Sequence, residues 1–85
     1  MNDDLETLEY LKNLKSRGVR YLCRSYGEGM TIVAFRILGD IVQAEDIVYG
    51  TFWRLWLEKK FSDVVPPLRP FLYEEIKKAC KAQDF

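Results

Sequence analysis

Residues 44–57, Ala-Glu-Asp-Ile-Val-Tyr-Gly-Thr-Phe-Trp-Arg-Leu-Trp-Leu, hold both tryptophans of the chain and constrain its fold more than any other stretch. In a helix, a step of about 100° per residue puts Ala44, Val48, Thr51 and Leu55 on one stripe, with Ile47 and Phe52 beside it. That is a core-facing surface. The opposite side carries a second row at i, i+3, i+4, i+7, made by Asp46, Tyr49, Gly50 and Trp53, and it is also largely apolar. A helix apolar nearly all round is either buried on every side or meets a partner. A chain of 85 residues buries only about two thirds of its unfolded surface and builds one core at most. Either an N-terminal helix wraps the far side of this segment, or the row is an interface.

Taken in order, the chain supplies other helices around that segment. Asn2 or Asp3 is suited to cap a first helix whose opening turn holds Asp3, Asp4, Glu6 and Glu9 and whose end holds Lys12, Lys15 and Arg17, complementing the helix dipole. Leu5, Leu8, Leu11 and Leu14 form its apolar stripe, and Gly18 is its expected stop. A second helix follows Val19, Leu22, Cys23, Tyr26, Met30, Val33, Ala34 and Ile37 at helical spacing. Gly27 and Gly29 weaken its middle by about 1 kcal/mol each relative to alanine, unless close packing needs the missing side chains.

Gly39 then reads as a C-terminal cap and Asp40 as the next N-cap, with Gln43 at capping-box spacing. The central helix is expected from Ile41 to Lys59 or Lys60. Ser62, Asp63 and Pro66-Pro67 make 61–67 a linker, with Val64 and Val65 turned inward. A last helix starts between Pro67 and Pro70, where proline costs no intrahelical hydrogen bond, and buries Leu68, Phe71, Leu72, Ile76, Ala79 and Cys80. The expectation is one all-α domain over 1–85, a small bundle of about four helices at roughly 3–16, 19–38, 41–59 and 68–82.

Composition excludes several kinds of chemistry. Thirteen Lys and Arg balance thirteen Asp and Glu, so any basic surface is local. There is no histidine, and Cys23 and Cys80 are the only cysteines, which rules out the usual zinc spacings and every imidazole-activated nucleophile. Two buried free thiols in a reducing compartment are expected. Glu45-Asp46 and Glu74-Glu75 point about 100° apart in a helix and do not converge on one atom. Gly27-Glu28-Gly29 is no phosphate loop. The N-terminus is acidic and no apolar run reaches membrane-spanning length. A soluble, cytoplasmic, non-enzymatic protein without a cofactor is the expectation.

What remains is surfaces. Arg69, Phe71, Tyr73, Lys77, Lys78 and Lys81 mix cations with rings on the last helix, as single-stranded nucleic acid favours, although any solvated helix end shows a similar face. Lys12, Lys15, Arg17, Arg20 and Arg24 form a second basic set with the same two readings.

The run from Val19 to Lys81 resembles region 2, the N-terminal conserved domain, of extracytoplasmic-function sigma factors, the small bacterial transcription initiation subunits. The resemblance rests on Val19-x-x-Leu22-x-x-x-Tyr26-x-x-x-Met30-x-x-x-Ala34-Phe35-Arg36-Ile37-Leu38-Gly39-Asp40, on Ala44-Glu45-Asp46-Ile47-Val48, on Phe52-x-x-Leu55-Trp56 and on Phe71-Leu72-Tyr73. It implies a helical domain whose Ala-Glu-Asp helix docks on the clamp coiled coil of the RNA polymerase β′ subunit, through Glu45, Asp46, Tyr49, Gly50 and Trp53. It also implies that the last helix and the preceding loop, 62–67, recognise and melt the promoter minus-ten element. A flipped base of the non-template strand would then meet Arg69, Tyr73, Lys77, Lys78 and Lys81.

The chain departs from the family at Tyr49-Gly50, where Gln and an acid are usual, and at Lys77-Lys78 and Ala82, where Arg-Asn and a later Asp or Asn are usual. Lysine keeps the charge of the replaced groups but neither a bidentate fork nor an amide. The family's second domain, which reads the minus-thirty-five element, is expected to be absent. An alternative from a different class is a degenerate sigma-like interaction module that binds an anti-sigma protein or itself and reads no promoter.

Overall fold

The computed structural model describes residues 4–13 and 15–82, which form α1 (Asp4–Lys12), α2 (Arg17–Leu38), α3 (Ile41–Leu57) and α4 (Arg69–Ala82) and contain no strand. The break between the two longest helices comes from two adjacent residues. Gly39 takes the left-handed conformation (φ 76°, ψ 7°) and its N–H closes the end of α2 on the Phe35 carbonyl at 2.8 Å. Asp40 is extended, and its carboxylate accepts the Gln43 N–H at 3.0 Å. The link turns α3 back along α2, so that Tyr49, midway along α3, lies against Gly27, midway along α2.

α1 packs along the N-terminal half of α2, and α4 covers both α2 and α3. α4 starts beside Tyr26, with the Arg69 guanidinium 5.5 Å from that ring, and Arg54 of α3 meets Glu75 of α4 at 3.9 Å. One carboxylate joins three helices: Tyr26 Oη donates to Asp4 Oδ1 at 2.5 Å, and the Leu68 N–H donates to Asp4 Oδ2 at 2.8 Å. Asp4 thereby satisfies a backbone donor just before α4. Burial, then the bond to Asp4, pushes the Tyr26 hydroxyl up to about 12.

The single core runs through all four helices and the linker: Leu8 and Leu11, then Val19, Leu22, Met30 and Ala34, then Ala44, Val48, Phe52 and Leu55, then Phe61, Leu68, Leu72, Ile76 and Cys80. Val48, Phe52 and Leu55 are fully inaccessible, so the inward stripe of α3 lies where periodicity puts it. Phe61 and the half-buried Phe71 meet edge to face, 5.6 Å between centroids.

Several expectations change. α1 ends at Lys12 and not near 16, because the Asn13 side-chain amide donates to the Glu9 carbonyl at 2.9 Å and the Lys15 N–H folds back onto the Tyr10 carbonyl at 2.9 Å. Gly18 is not a stop. It lies buried in the first turn of α2, where a Cβ would meet Leu11 Cγ at 2.8 Å and the Leu11 backbone nitrogen at 2.9 Å, so α1 and α2 touch there. α3 ends at Leu57, and its closure passes through a non-glycine residue: Lys59 sits at φ 58°, with Lys60 N–H to the Leu55 carbonyl (2.9 Å) and Lys59 N–H to the Trp56 carbonyl (3.0 Å). Those two bonds are a Schellman closure.

Three residues assigned inward face solvent: Leu5, Ile37 and Val65, the last 69% exposed. Leu5 falls on the outer side of a helix that packs chiefly on α2, Ile37 lies in the last turn of α2, and Val65 precedes the cis Pro66-Pro67 bond. Cys80 is buried and Cys23 only half-buried, and burial pushes both thiols up. Asn2, Asp3 and Leu14, expected as a helix cap and part of the α1 stripe, lie outside the described residues. Among the described residues no helix is long and apolar enough to cross a membrane.

Candidate interaction surfaces

α1 packs on α2, so the outward row of α3 stays open. Its exposed apolar members are Val42, Tyr49, Trp53 and Leu57, at 63%, 38%, 45% and 68% of full exposure. Val42, Asp46, Tyr49 and Trp53 follow a four-three spacing that keeps one seam facing a second helix, and Leu57 lies one turn beyond it. Glu45 and Asp46 are exposed at the N-terminal end of the row, and neither is ion-paired among the described residues.

Two side chains define the relief of this face. Trp53 packs edge-on against Trp56 at 5.5 Å and 70°, which holds its indole upright while one side stays open. Tyr49 leans the other way, onto α2, where a Cβ on Gly27 would lie 3.2 Å from its Cε1 and its hydroxyl. Gly27 is therefore a packing glycine, and α2 runs unbroken from Arg17 to Leu38. Gly50, between Asp46 and Trp53 on the same row, has open space where its Cβ would be. Nothing within the fold requires a glycine there, although it costs about 1 kcal/mol relative to alanine. The notch it leaves lets a partner backbone approach α3 closely.

The five residues proposed on α4 do not form one face. Tyr73 and Lys77 are together, the Lys77 ammonium 5.0 Å from the Tyr73 ring centroid, and Lys81 follows one turn later on the same side. Arg69 is turned toward α2 and Tyr26. Lys78 faces the other flank, in an open groove of ≈ 480 Å³ between α3 and α4 that Asp46, Gly50, Arg54 and Glu75 also line. The cations are also locally compensated: Lys77 pairs with Glu74 at 3.6 Å and Lys78 with Glu75 at 3.2 Å. The neighbouring carboxylates reduce the net positive charge that a phosphate would meet at these lysines.

Sequence reasoning missed two groups. Asp4 reads as a dipole partner of α1, and its bonds to Tyr26 and Leu68 span 22 and 64 residues, so no local pattern signals them. The Trp56 indole N–H is buried and has no acceptor among the described residues. It stands next to a small pocket of ≈ 100 Å³ lined by Leu11, Lys12, Trp56, Lys59, Phe61 and Ser62. Among the described residues no three His, Cys, Asp or Glu side chains are placed to hold a metal ion. Compared with family models, with characterised proteins and with solved structures, the chain matches none.

Proposed function

We propose that this chain is a region 2-like domain of an extracytoplasmic-function sigma factor that docks on the β′ clamp coiled coil of RNA polymerase through the outer face of α3. The observation that supports this most is the open row Val42, Asp46, Tyr49, Trp53 and Leu57, helical, apolar apart from Asp46 and left uncovered by the other described residues. Its seam spacing suits a helical partner, its aromatic anchor is the kind that dominates binding energy, and Gly50 leaves room for close approach. Glu45 and Asp46 add negative charge at one end, where a basic turn of the partner would sit.

On this reading α4 meets the non-template strand of the minus-ten element through Tyr73, Lys77 and Lys81, with Arg69 and Lys78 at its margins. The test is retention of a β′ clamp fragment by the immobilised domain. The parent is expected to retain it and an Asp46→Ala, Trp53→Ala pair to release it. No retention by the parent would end the docking claim.

One observation favours a second reading, a helical module that uses the same row for an anti-sigma protein or another copy and reads no promoter. Lys77 and Lys78 are each held by a glutamate, and Ala82 offers no hydrogen-bonding group. Sequence-selective, salt-sensitive binding of a minus-ten single strand separates the two, since the module is expected to show no sequence preference.

A further inference from the structure

A cluster of exposed, unpaired positive charge among the described residues lies away from α4. Residues 10–27 contain Lys12, Lys15, Arg17, Arg20 and Arg24 and no Asp or Glu, in a chain whose total charge is zero. All five cations are exposed, and none is ion-paired among the described residues. The contrast with α4 is direct, because Glu74 and Glu75 neutralise Lys77 and Lys78 there.

The fold gathers this charge into a surface. Arg17, Arg20 and Arg24 follow one another at i, i+3, i+7 on the outer side of α2, so each is the helical neighbour of the next. Lys15 comes from the turn after α1, whereas Lys12, at the end of α1, borders the neighbouring pocket that it lines with Trp56 and Lys59. Two rings stand among them: Tyr10 and Tyr21 pack 5.3 Å apart, with the Arg17 guanidinium 5.6 Å from the Tyr10 centroid. Below them Tyr10, Asn13, Lys15, Ser16 and Arg17 line a concave notch of ≈ 430 Å³.

We infer that this α1–α2 corner is a sequence-independent nucleic-acid surface, in which the arginine row tracks a phosphate backbone and the Tyr10–Tyr21 pair offers a stacking edge to an unpaired base. Charge alone suits any polyanion, and two features favour nucleic acid. Two tyrosine rings, tilted 58° to each other with a guanidinium beside one of them, put π-faces and cations together, as an unpaired base and its phosphate require. A membrane surface would instead want apolar side chains between the cations, and no large hydrophobic residue is exposed among the described residues of 10–27. The inference does not depend on polymerase docking, since it uses another face and another partner.

The experiment is binding of the full chain to a labelled mixed-sequence oligonucleotide, single-stranded and duplex, from about 50 to 200 mM salt, with no polymerase fragment present. Each phosphate contact contributes about 0.7 to 0.9 to the slope of log affinity against log salt. Replacing Arg17, Arg20 and Arg24 together by Gln is expected to make that slope shallower by about 2 to 3 and to weaken binding about tenfold or more at the lowest salt. Replacing the same three by Lys keeps the charge and is expected to keep the slope. An unchanged slope in the Gln variant overturns the inference, as does a Lys variant as weak as the Gln variant. Parent binding to polyglutamate, or to phosphatidylserine vesicles, as tight as to the oligonucleotide also overturns it.

Discussion

The two faces of α3 are made from nearly the same kinds of residue and have opposite fates. Val48, Phe52 and Leu55 are wholly inaccessible under α2 and α4, whereas Val42, Trp53 and Leu57, on the same 17 residues, lie open. Apolar composition does not distinguish them; neighbours do. α1 packs against α2, and α4 is committed to the inner side, so no helix among the described residues covers the outer row. A partner that covered such a face would recover hydrophobic free energy that folding leaves unused.

If that distinction is right, one-residue neighbours should behave very differently. Phe52→Ala empties a fully buried site and is expected to cost about 3 to 5 kcal/mol in denaturant melts. Trp53→Ala removes a larger ring from the open face and is expected to cost about 1 kcal/mol at most, chiefly through its contact with Trp56. Equal losses would break the division into faces.

Glycines sharpen it. Gly18→Ala drives a Cβ onto Leu11, including its backbone nitrogen at 2.9 Å, and is expected to destabilise by about 1 to 3 kcal/mol. Gly50→Ala meets open space and is expected to stabilise the free chain by about 0.5 to 1 kcal/mol while weakening partner binding. A Gly50→Ala chain that gains stability and binds no worse would show that the notch on the outer face is not used.

The smallest expected effect concerns the hydrogen bonds that fasten the inner side. The Tyr26 hydroxyl is held protonated up to about 12 in the folded chain, above its ordinary value near 10. Between those values the unfolded chain binds fewer protons than the folded one, so stability is full below about pH 10 and falls as pH rises toward 12. Thermal melts across that window are expected to show a steeper decline for the parent than for Tyr26→Phe. Identical declines would mean that neither burial nor the bond to Asp4 holds the proton.

What could be read in advance follows the range of the interaction. The Gly39-Asp40 break and the inward stripe of α3 depend on residues within one or two turns, and both appear as the spacing indicates. The ends of α1 and α3 move by a few residues because Asn13 and Lys59 close them, residues without the signature of a glycine stop. Gly18 misleads because a glycine that ends a helix and one that admits a neighbouring helix look alike in sequence. The uncovered row of α3 was visible as a second apolar periodicity, but that nothing covers it depends on where α1 packs. The division of the α4 cations between two flanks, and their pairing with Glu74 and Glu75, depends on neighbouring helices and rotamers.

The most direct measurement uses the two tryptophans, one on each side of the boundary between the open face and the interior. In a nitrogen-15 spectrum the indole N–H signals of Trp53 and Trp56 are separate reporters, and Trp56 Nε1 is already buried. On titration with a β′ clamp coiled-coil fragment, the Trp53 indole and the amides of Asp46, Tyr49 and Gly50 are expected to shift together, saturating with a Kd on the order of tens of micromolar or tighter. Signals of the α3 outer row that stay fixed at saturating fragment, or shifts confined to α1, would contradict the assignment of this face as the docking surface.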